Sequence, residues 1–483
     1  MHNGAAGQFA GARDYDIAIV GAGVAGCYCA YRLSAASPRA RIVLLEQSNR
    51  IGGRLETAFL PGVAIPAELG GAFVSDSHAR VSALAGELGL ALTPVRWSRQ
   101  FAYVRGKRVP DRSYREDPDA IPYRFAAAER GRSPAAILRA AIEVAAPRLR
   151  TLWPADAPPA GMEAVDLYLQ CRRFRRRPLD DWPFATLLGD LISNDGFRCL
   201  VETSGASSNF GAISAYDAIR TLLREGAPQQ GFVFSAGFQQ IPLELQRRSG
   251  VDTHLSTRLT KVRAESDRLR LWLRHARGES SVLARALILT SPPDSLVEIG
   301  FAPDHANAFR ALVAKLAPVR ACKLFLSFSR PWWPRSSPTR GLGVAAHHTD
   351  QPLQQCYAYD GADGSGLLLA MFADGDNAAF WRPRFDAAGA AAGGLVEAVL
   401  AQLRAMHGDV RIPDPSGAVA RMWPAAWHGW KPGARSWRSA PAARQPVPGL
   451  AVFVCGEAYS TRQGWVEGAL ESADALLEEK FLA

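Results

Sequence analysis

Apolar and polar positions near the start of the chain follow a strand, turn, helix, strand order. The apolar run over 16–20 leads into Gly21, Gly23 and Gly26, which open a helix-like pattern, and a second apolar run covers 40–45. Short apolar runs bounded by turn residues are typical of buried strands, and a helix between two of them is typical of a parallel βαβ unit. The first 45 residues therefore predict such a unit.

The three glycines have the spacing of a dinucleotide-binding turn. Gly21 permits a tight turn, Gly23 lets the backbone approach phosphate oxygens, and Gly26 lets helix and strand pack closely. Glu46 follows the second strand, 20 residues after Gly26, where a carboxylate suits a ribose 2′-hydroxyl. The acid favours an adenosine without a 2′-phosphate.

The pattern becomes helical over 79–226 and strand-like again after residue 230. Apolar spacing predicts further elements in this order: strands at 251–256, 259–262, 269–273 and 286–290, a helix at 395–406, a strand at 450–455 and a helix that begins after Trp465. The last strand and helix return to the first sheet, so both ends of the chain build the dinucleotide site.

Composition indicates an ordinary enzyme-sized globular chain. It has 483 residues, of which 48% are hydrophobic. No apolar run reaches the roughly 18 residues of a membrane helix, and the start of the chain has no signal-peptide pattern. The seven cysteines show no metal-ligand spacing. We therefore expect a cytoplasmic protein without a membrane span.

Most of the formal charge of +10 lies in one segment. Residues 96–177 contain 18 Lys and Arg against 9 Asp and Glu, and Arg172–Arg177 is the densest part. Such runs are more often a solvated helix face than a nucleic-acid site, and we expect no nucleic-acid partner. A homodimer and a carrier-bound substrate docked on this face are both compatible with the sequence.

These motifs together resemble the FAD-dependent amine oxidases, the family of monoamine, polyamine and L-amino acid oxidases. The likeness covers nearly the whole chain and rests on the glycine turn, Glu46, Gly52-Gly53-Arg54, Glu68-Leu-Gly-Gly71, the strand around Val262, Gly456-Glu457 and Gly464-Trp465. It implies an α/β fold with two parts. A discontinuous Rossmann-like FAD-binding domain covers 1–78, 227–300 and 420–483, and an α+β substrate domain with a helical insertion covers 79–226 and 301–419.

The resemblance also implies the residues that bind the cofactor. Gly53, Arg54, Gly70 and Gly71 would lie along FAD, and the backbone of Val262 would meet the adenine. Gly456 and Glu457 would contact the diphosphate-ribityl portion. The helix that begins with Trp465 and Val466 would direct its positive end toward the flavin N1–O2 edge. No cysteine lies between Trp423 and Trp437, where monoamine oxidases attach their flavin, so we expect non-covalent FAD.

Lys323 is the expected catalytic residue. It lies in Cys322-Lys-Leu-Phe-Leu, ten residues before Trp333, which resembles the family pattern in which a strand lysine holds a water against flavin N5. The flavin would take a hydride equivalent from a carbon that bears nitrogen, so no nucleophile is required. The resulting imine would give a carbonyl compound and ammonia, and O2 would become H2O2.

Aromatic residues are the expected walls of the substrate site, because the amine must be neutral to react. We predict Trp430 and Trp465 in that role, and we expect His428 to be a hydrogen-bonded structural residue. His347 and His348 point to opposite faces of a strand, so no metal site is predicted.

Phe73 bears on the substrate. Some segments resemble bacterial L-amino acid oxidases, including L-tryptophan oxidases, but those enzymes carry a carboxylate-binding arginine where this chain has Phe73. An amine and an L-amino acid both remain open. Two further hypotheses are an FAD-dependent desaturase of a non-amine substrate and a non-catalytic FAD-bearing interaction protein.

Overall fold

The computed structural model describes residues 14–154, 161–211, 213–225, 230–333, 342–360, 364–408 and 410–482. In these ranges the strands are β1 Asp14–Val20, β2 Ile42–Leu45, β3 Thr57–Ala58, β4 Ala67–Glu68, β5 Val74–Ser75, β6 Leu92–Val104, β7 Lys107–Val109, β8 Arg173–Phe174, β9 Arg177–Pro178, β10 Gly231–Phe234, β11 Asp252–His254, β12 Arg258–Glu265, β13 Arg268–His275, β14 Gly278–Leu289, β15 Leu316–Phe328, β16 Leu342–Thr349, β17 Gln355–Asp360, β18 Gly366–Asp374, β19 Gly417–Trp430 and β20 Val452–Val454.

The helices in the same ranges are α1 Val24–Ala36, α2 Ala79–Leu88, α3 Ser113–Glu116, α4 Pro134–Ala145, α5 Leu149–Leu152, α6 Met162–Cys171, α7 Phe184–Gly189, α8 Asn194–Ser204, α9 Ala215–Glu225, α10 Gln240–Ser249, α11 Pro293–Val297, α12 Pro303–Val313, α13 Gly375–Trp381, α14 Leu395–Met406, α15 Ser436–Ala443 and α16 Val466–Lys480. Short 3₁₀ turns cover Leu179–Asp181, Ser207–Phe210, Arg382–Arg384 and Glu457–Tyr459.

A seven-stranded sheet holds the predicted βαβ unit. Its strand order is β11-β2-β1-β14-β13-β12, and β20 pairs with β14. β1 runs parallel to both β2 and β14, and β20 is parallel to β14. Alternate side chains of β1 enter two different hydrophobic clusters, with Ile17 and Ile19 in one and Ala18 and Val20 in the other. Both faces are therefore covered, as parallel sheets require.

The second sheet has nine strands. Their order is β19-β15-β18-β17-β16-β6-β10-β5, and β7 pairs with β6. The centre of this sheet is fully buried: nearly every residue of β15 after Arg320 and of β18 is shielded from solvent. The strand β15 carries Lys323 between β18 and β19, where Lys323 is registered with Phe372 on one side and Arg421 on the other.

The α/β fold class is confirmed by the structural comparisons given below. The helical interpretation of 79–226 is wrong in two places. Leu92–Val104 is a long strand of the second sheet with β7 paired to it, and β8 and β9 form a short antiparallel pair. The strand β6 is extended because it pairs with β10 and β16, and the spacing of apolar residues within it does not reveal those distant partners. The domain boundaries stay a prediction, and β19 crosses the predicted boundary at 420 while pairing in the second sheet.

The helical region is joined to the C-terminal part through a buried carboxylate. Asp217 in α9 accepts a hydrogen bond from the Ser436 hydroxyl at 2.6 Å, and its second oxygen has no hydrogen-bond partner among the described residues. Burial, opposed by Arg220, raises the pKa of Asp217 from 3.8 to about 7. The folded protein therefore favours the protonated form.

We predict that Asp217→Asn removes a pH-dependent loss of stability. Because the folded pKa is raised, the folded state binds more protons than the unfolded chain between about pH 4 and pH 7, and stability falls as the pH rises through that window. Each pKa unit corresponds to about 1.4 kcal/mol, so the loss amounts to a few kcal/mol. Asparagine still accepts the Ser436 bond and has no charge to bury.

Unfolding free energies at a series of pH values test this prediction. Relative to the wild type, the unfolding free energy of Asp217→Asn should increase from pH 4 to pH 7 and then stay constant. Asp267→Asn, on the exposed turn between β12 and β13, serves as control and should follow the wild type. An unchanged pH dependence in Asp217→Asn would show that Asp217 does not titrate in this range.

Candidate functional site

In the glycine turn after β1, two of the three glycines have no room for a side chain, and the third has room. Gly21 has φ +107°, and a Cβ there would lie 2.6 Å from the Thr290 hydroxyl. A Cβ on Gly26 would lie 1.8 Å from the Gly21 carbonyl oxygen. A Cβ on Gly23 would meet only the Cα of Gly53, at 3.8 Å. The fold itself requires the first two glycines, whereas Gly23 lines open space.

Glu46 is buried at the end of β2, against this turn. Its carboxylate accepts the Ala22 amide at 2.8 Å with one oxygen and the Ser48 amide at 2.8 Å with the other. Its main chain bonds to His254 and Thr257, which holds the strand end beside β11. A carboxylate oxygen has more than one lone pair, so the acid can still accept a ribose hydroxyl.

The segment 52–54 completes the turn from the other side. The Gly52 amide donates to the Ala22 carbonyl at 2.9 Å, and Gly52 pairs with Gly23 as an isolated bridge. Gly52 and Gly53 have φ +134° and +57°, which glycine adopts readily. The turn at 21–26 and the segment 52–54 thus lie side by side, with backbone atoms that no described side chain covers at Gly23 and Gly53.

Glu457 is buried and forms an ion pair at 2.6 Å with Arg54, which is partly exposed. The same carboxylate accepts the main-chain amides of His428 at 3.0 Å and Gly464 at 2.8 Å, and it lies 3.2 Å from His428 Nδ1. Burial opposes ionisation, but Arg54 and His428 together hold the pKa of Glu457 at about 2. His428 is thus hydrogen-bonded to Glu457, and a hydrogen-bonded structural residue is what the sequence predicts here.

Lys323 is buried, and its ammonium bonds to main-chain oxygens of the Glu-Leu-Gly-Gly segment. Nζ donates to the Glu68 carbonyl at 3.0 Å and to the Gly70 carbonyl at 2.6 Å. Burial lowers the pKa of Lys323 to about 8, against the raising effect of the Glu68 carboxylate. The side chain is therefore mainly protonated at neutral pH.

The Glu68–Gly71 segment fits tightly against residues 54–56. A Cβ on Gly70 would lie 1.9 Å from the Arg54 carbonyl oxygen, and the Gly71 amide donates to that oxygen at 3.1 Å. The Glu68 carboxylate accepts the Phe238 amide and the Thr57 hydroxyl, and burial raises its pKa to about 7. The segment that holds Lys323 is therefore fixed to the segment that holds Glu457.

An aromatic wall extends from Lys323 to the start of α16. Nζ lies 4.9 Å from the centre of the Phe372 ring, and the Phe372 and Trp427 rings are 6.5 Å apart. A Cβ on Gly464 would lie 3.9 Å from the Trp427 ring. Trp465 follows as the residue that precedes α16. Lys323 is thus linked through Phe372 and Trp427 to Gly464, the residue that precedes Trp465.

Trp430 is not part of this wall. It is 1% exposed, lies in the hydrophobic core of the first sheet, and its Nε1 donates to the Ser460 carbonyl at 2.9 Å. Along β19 the side chains alternate, so Trp427 faces away from Trp430 and toward Phe372. The structure therefore places Trp430 in the core rather than at the predicted substrate wall, in a segment that was not predicted to be a strand.

Val262 also differs from its expected role. Its amide donates to the Gly300 carbonyl at 3.1 Å, and its carbonyl accepts the Arg263 guanidinium at 2.8 Å. The amide is therefore not available to an adenine, and we leave Val262 out of the proposed site. The stretch that adjoins Glu46 is the start of β12, where Thr257 donates to the Glu46 carbonyl at 2.8 Å.

Phe73 and the remaining predicted residues lie around the same space. The Phe73 ring is 6.3 Å from the Tyr357 ring, and both pack on the cluster that contains Phe325. Val466 is the first residue of α16, and Gly456, with φ +133°, precedes the turn that carries Glu457. Phe372, Tyr357 and Trp427 were missed, because only strand pairing places them here.

His347 and His348 face opposite sides of β16. The His347 ring stacks 4.5 Å from the Phe101 ring, and His348 Nδ1 donates to the Thr203 carbonyl at 2.9 Å. Among the described residues, no three His, Cys, Asp or Glu side chains group as a metal site. None of the helices in the described ranges combines the length and apolar character needed to cross a bilayer.

The family comparison agrees with this geometry. The profile described as flavin containing amine oxidoreductase matches residues 24–475. Aplysianin-A of Aplysia kurodai is 26% identical over 96% of this chain and 90% of its own length. The L-amino-acid oxidase of Mus musculus is 27% identical over 94% of this chain and 69% of its own length.

A solved structure shows the same fold. Cyclohexylamine oxidase from Brevibacterium oxydans superposes with a TM-score of 0.68 at 23% identity, covering 96% of this chain and 99% of that one. Putrescine oxidase gives a TM-score of 0.66 at 18% identity over similar shares. At these identities the likeness establishes the fold.

We predict that Gly23→Ala weakens cofactor binding without destabilising the cofactor-free protein. The added methyl meets no atom closer than 3.8 Å in the protein, but it occupies the space where backbone must approach a pyrophosphate. Cofactor affinity should fall at least about tenfold, while the melting temperature of the cofactor-free protein should stay unchanged.

Gly26→Ala is the matched control, since its methyl would overlap the Gly21 carbonyl and should lower the melting temperature of the cofactor-free protein too. Flavin absorbance per protein and thermal melts of the stripped proteins measure both effects. Full flavin content in Gly23→Ala would contradict the assignment of this space to the pyrophosphate.

We also predict that the flavin is held without a covalent bond. Cys322 points into the core on the face opposite Lys323, and Cys455 lies 3.8 Å from Cys29; all three are fully buried. Acid precipitation should therefore leave all flavin in the supernatant, as absorbance would show. Flavin that stays with the precipitated protein would contradict this.

Proposed function

Because the chain belongs to the flavin-containing amine oxidoreductases, we propose that it oxidises the C–N bond of a small primary amine or L-amino acid, with O2 as electron acceptor. The observation that carries this proposal is the buried Lys323 ammonium at one end of an aromatic wall, formed by Phe372 and Trp427, that ends beside Gly464. The overall change would convert the amine, O2 and water to a carbonyl compound, ammonia and H2O2.

The residues around the glycine turn fit FAD, the cofactor of this family. Gly23 and Gly53 offer backbone to the pyrophosphate, Glu46 offers a carboxylate to the ribose, and the first turn of α16 offers unpaired amides to an anionic ring edge. When bound, FAD supplies the acceptor for the two electrons and the hydride equivalent taken from the C–N bond.

Phe372, Trp427 and Trp465 would bind the amine in its neutral, reactive form. Aromatic faces surround the nitrogen end of the substrate with apolar surface and provide no carboxylate that would keep it protonated. The same rings exclude water from the reacting carbon, which strengthens every polar interaction in the site.

Lys323 would hold a water in the site and keep the Glu68–Gly70 segment in place. An ammonium has three N–H donors, and the two carbonyls take two of them, so one donor is left for a water. With a pKa of about 8, this donor is present at neutral pH.

A substrate panel tests the proposal. Peroxide release, with anaerobic loss of flavin absorbance, would be measured for amines, L-amino acids and amino acid amides. We expect signals from at least one of these classes, and activity with acids but not with their amides would identify a carboxylate-dependent site. No flavin reduction by any member would overturn the proposed function.

Replacing Lys323 with methionine should slow turnover by roughly a hundredfold or more, because the water loses the donor that orients it. Lys261→Met is the matched control: Lys261 also lies on a strand, with Nζ 4.7 Å from the Trp272 ring and away from the site. Both variants would be checked for flavin content and melting temperature. Intact turnover in Lys323→Met would favour the desaturase hypothesis.

A further inference from the structure

The His78 ring packs against the Trp465 ring. His78 directly precedes α2, is 1% exposed, and its ring centre is 4.7 Å from that of Trp465 at an interplanar angle of 55°. None of the sequence motifs singled out this histidine.

Both ring nitrogens of His78 have hydrogen-bond partners, which determine the tautomer of the neutral ring. Nδ1 accepts the Ser75 amide at 3.2 Å, so the proton of the neutral ring lies on Nε2. Nε2 is 3.2 Å from the Glu225 carboxylate and donates to it. The imidazole is therefore held at two points, and its plane cannot turn without the loss of a hydrogen bond.

Glu225 is itself anchored. It is the last residue of α9 and lies 3.2 Å from Arg462, which also pairs with Glu467 at 3.4 Å. Burial opposes its ionisation, but His78 and Arg462 bring the pKa of Glu225 below its usual range. The carboxylate that holds His78 thus stays charged and cannot move independently of the C-terminal turn.

The two helices that meet here support each other reciprocally. Glu467, the second residue of α16, is fully buried and accepts the amides of Arg80 at 3.2 Å and Val81 at 3.0 Å, in the first turn of α2. In return, His78 before α2 packs against Trp465 before α16. Exposed N-terminal amides favour such a carboxylate.

We propose that His78, oriented by Glu225, is a positioning residue that fixes the indole plane of Trp465. Trp465 is only partly buried, and Gly464 before it carries no side chain that could limit the indole from the other side. His78 is the described ring that packs against it. If the proposed function holds, His78 thereby sets the geometry in which an amine binds against the aromatic wall.

A double-mutant cycle on amine binding tests the proposal. Anaerobic flavin reduction by an amine identified in the panel gives the amine Kd and the limiting reduction rate separately. His78→Ala should raise Kd by about tenfold or more, with a smaller change in the limiting rate. In a Trp465→Ala background, the same substitution should have no further effect on Kd.

Conservative variants distinguish positioning from a general loss of packing. His78→Phe keeps a flat ring against the indole and should recover most of the affinity. Glu225→Gln keeps an acceptor for Nε2 and should stay close to the wild type. His305→Ala, on α12, is the control, and flavin content is measured for every variant.

Equal effects of His78→Ala in both backgrounds would overturn the proposal, as would an unchanged Kd. If the wild type is not reduced by any amine, the proposed function fails, and the same four proteins are compared by thermal unfolding. Non-additive melting temperatures then support the fixing of Trp465 by His78, whereas additive ones overturn it.

Discussion

One buried carboxylate, Glu457, holds together the parts of the chain that form the site. It binds Arg54 from the second glycine segment, the His428 amide from β19 and the Gly464 amide before α16. Trp427 and Trp465 are the immediate neighbours of the last two. Because an unpaired buried charge costs roughly 3–5 kcal/mol, these segments cannot separate independently. The positions of Trp427 and Trp465 therefore depend on the hydrogen bonds that Glu457 accepts from their neighbours.

Lys323 plays the complementary part on the opposite side of the site. Its partners are neutral carbonyls rather than a carboxylate, so its charge is solvated by the backbone of the Glu68–Gly70 segment. The pKa values of Lys323 and Glu457 are both lowered, but for different reasons. Burial disfavours the lysine cation, whereas Arg54 and His428 favour the glutamate anion. At neutral pH the site thus contains an ammonium whose pKa is lowered toward neutrality and a carboxylate that is ionised.

Motifs within a few residues of each other could be predicted from sequence, and residues brought together by strand pairing could not. The glycine turn, Glu46 and the α/β fold follow from local spacing. Trp430 was predicted as a wall of the substrate site, whereas it lies in the core of the first sheet, because pairing with β15 sets the face of β19 that each residue occupies. The strand β6 was interpreted as helical because its pairing partners are equally distant in sequence.

The charges around the site bear on the substrate. A carboxylate bound in a buried site needs a cation that is not already compensated. Among the described residues near the site, Arg54 pairs with Glu457, Arg421 with Glu56, and Arg462 with Glu225 and Glu467. Lys323 donates to two neutral carbonyls and has no carboxylate partner among these contacts. A substrate carboxylate at one of the arginines would have to compete with a glutamate, whereas an apolar end beside Phe73 would compete with none.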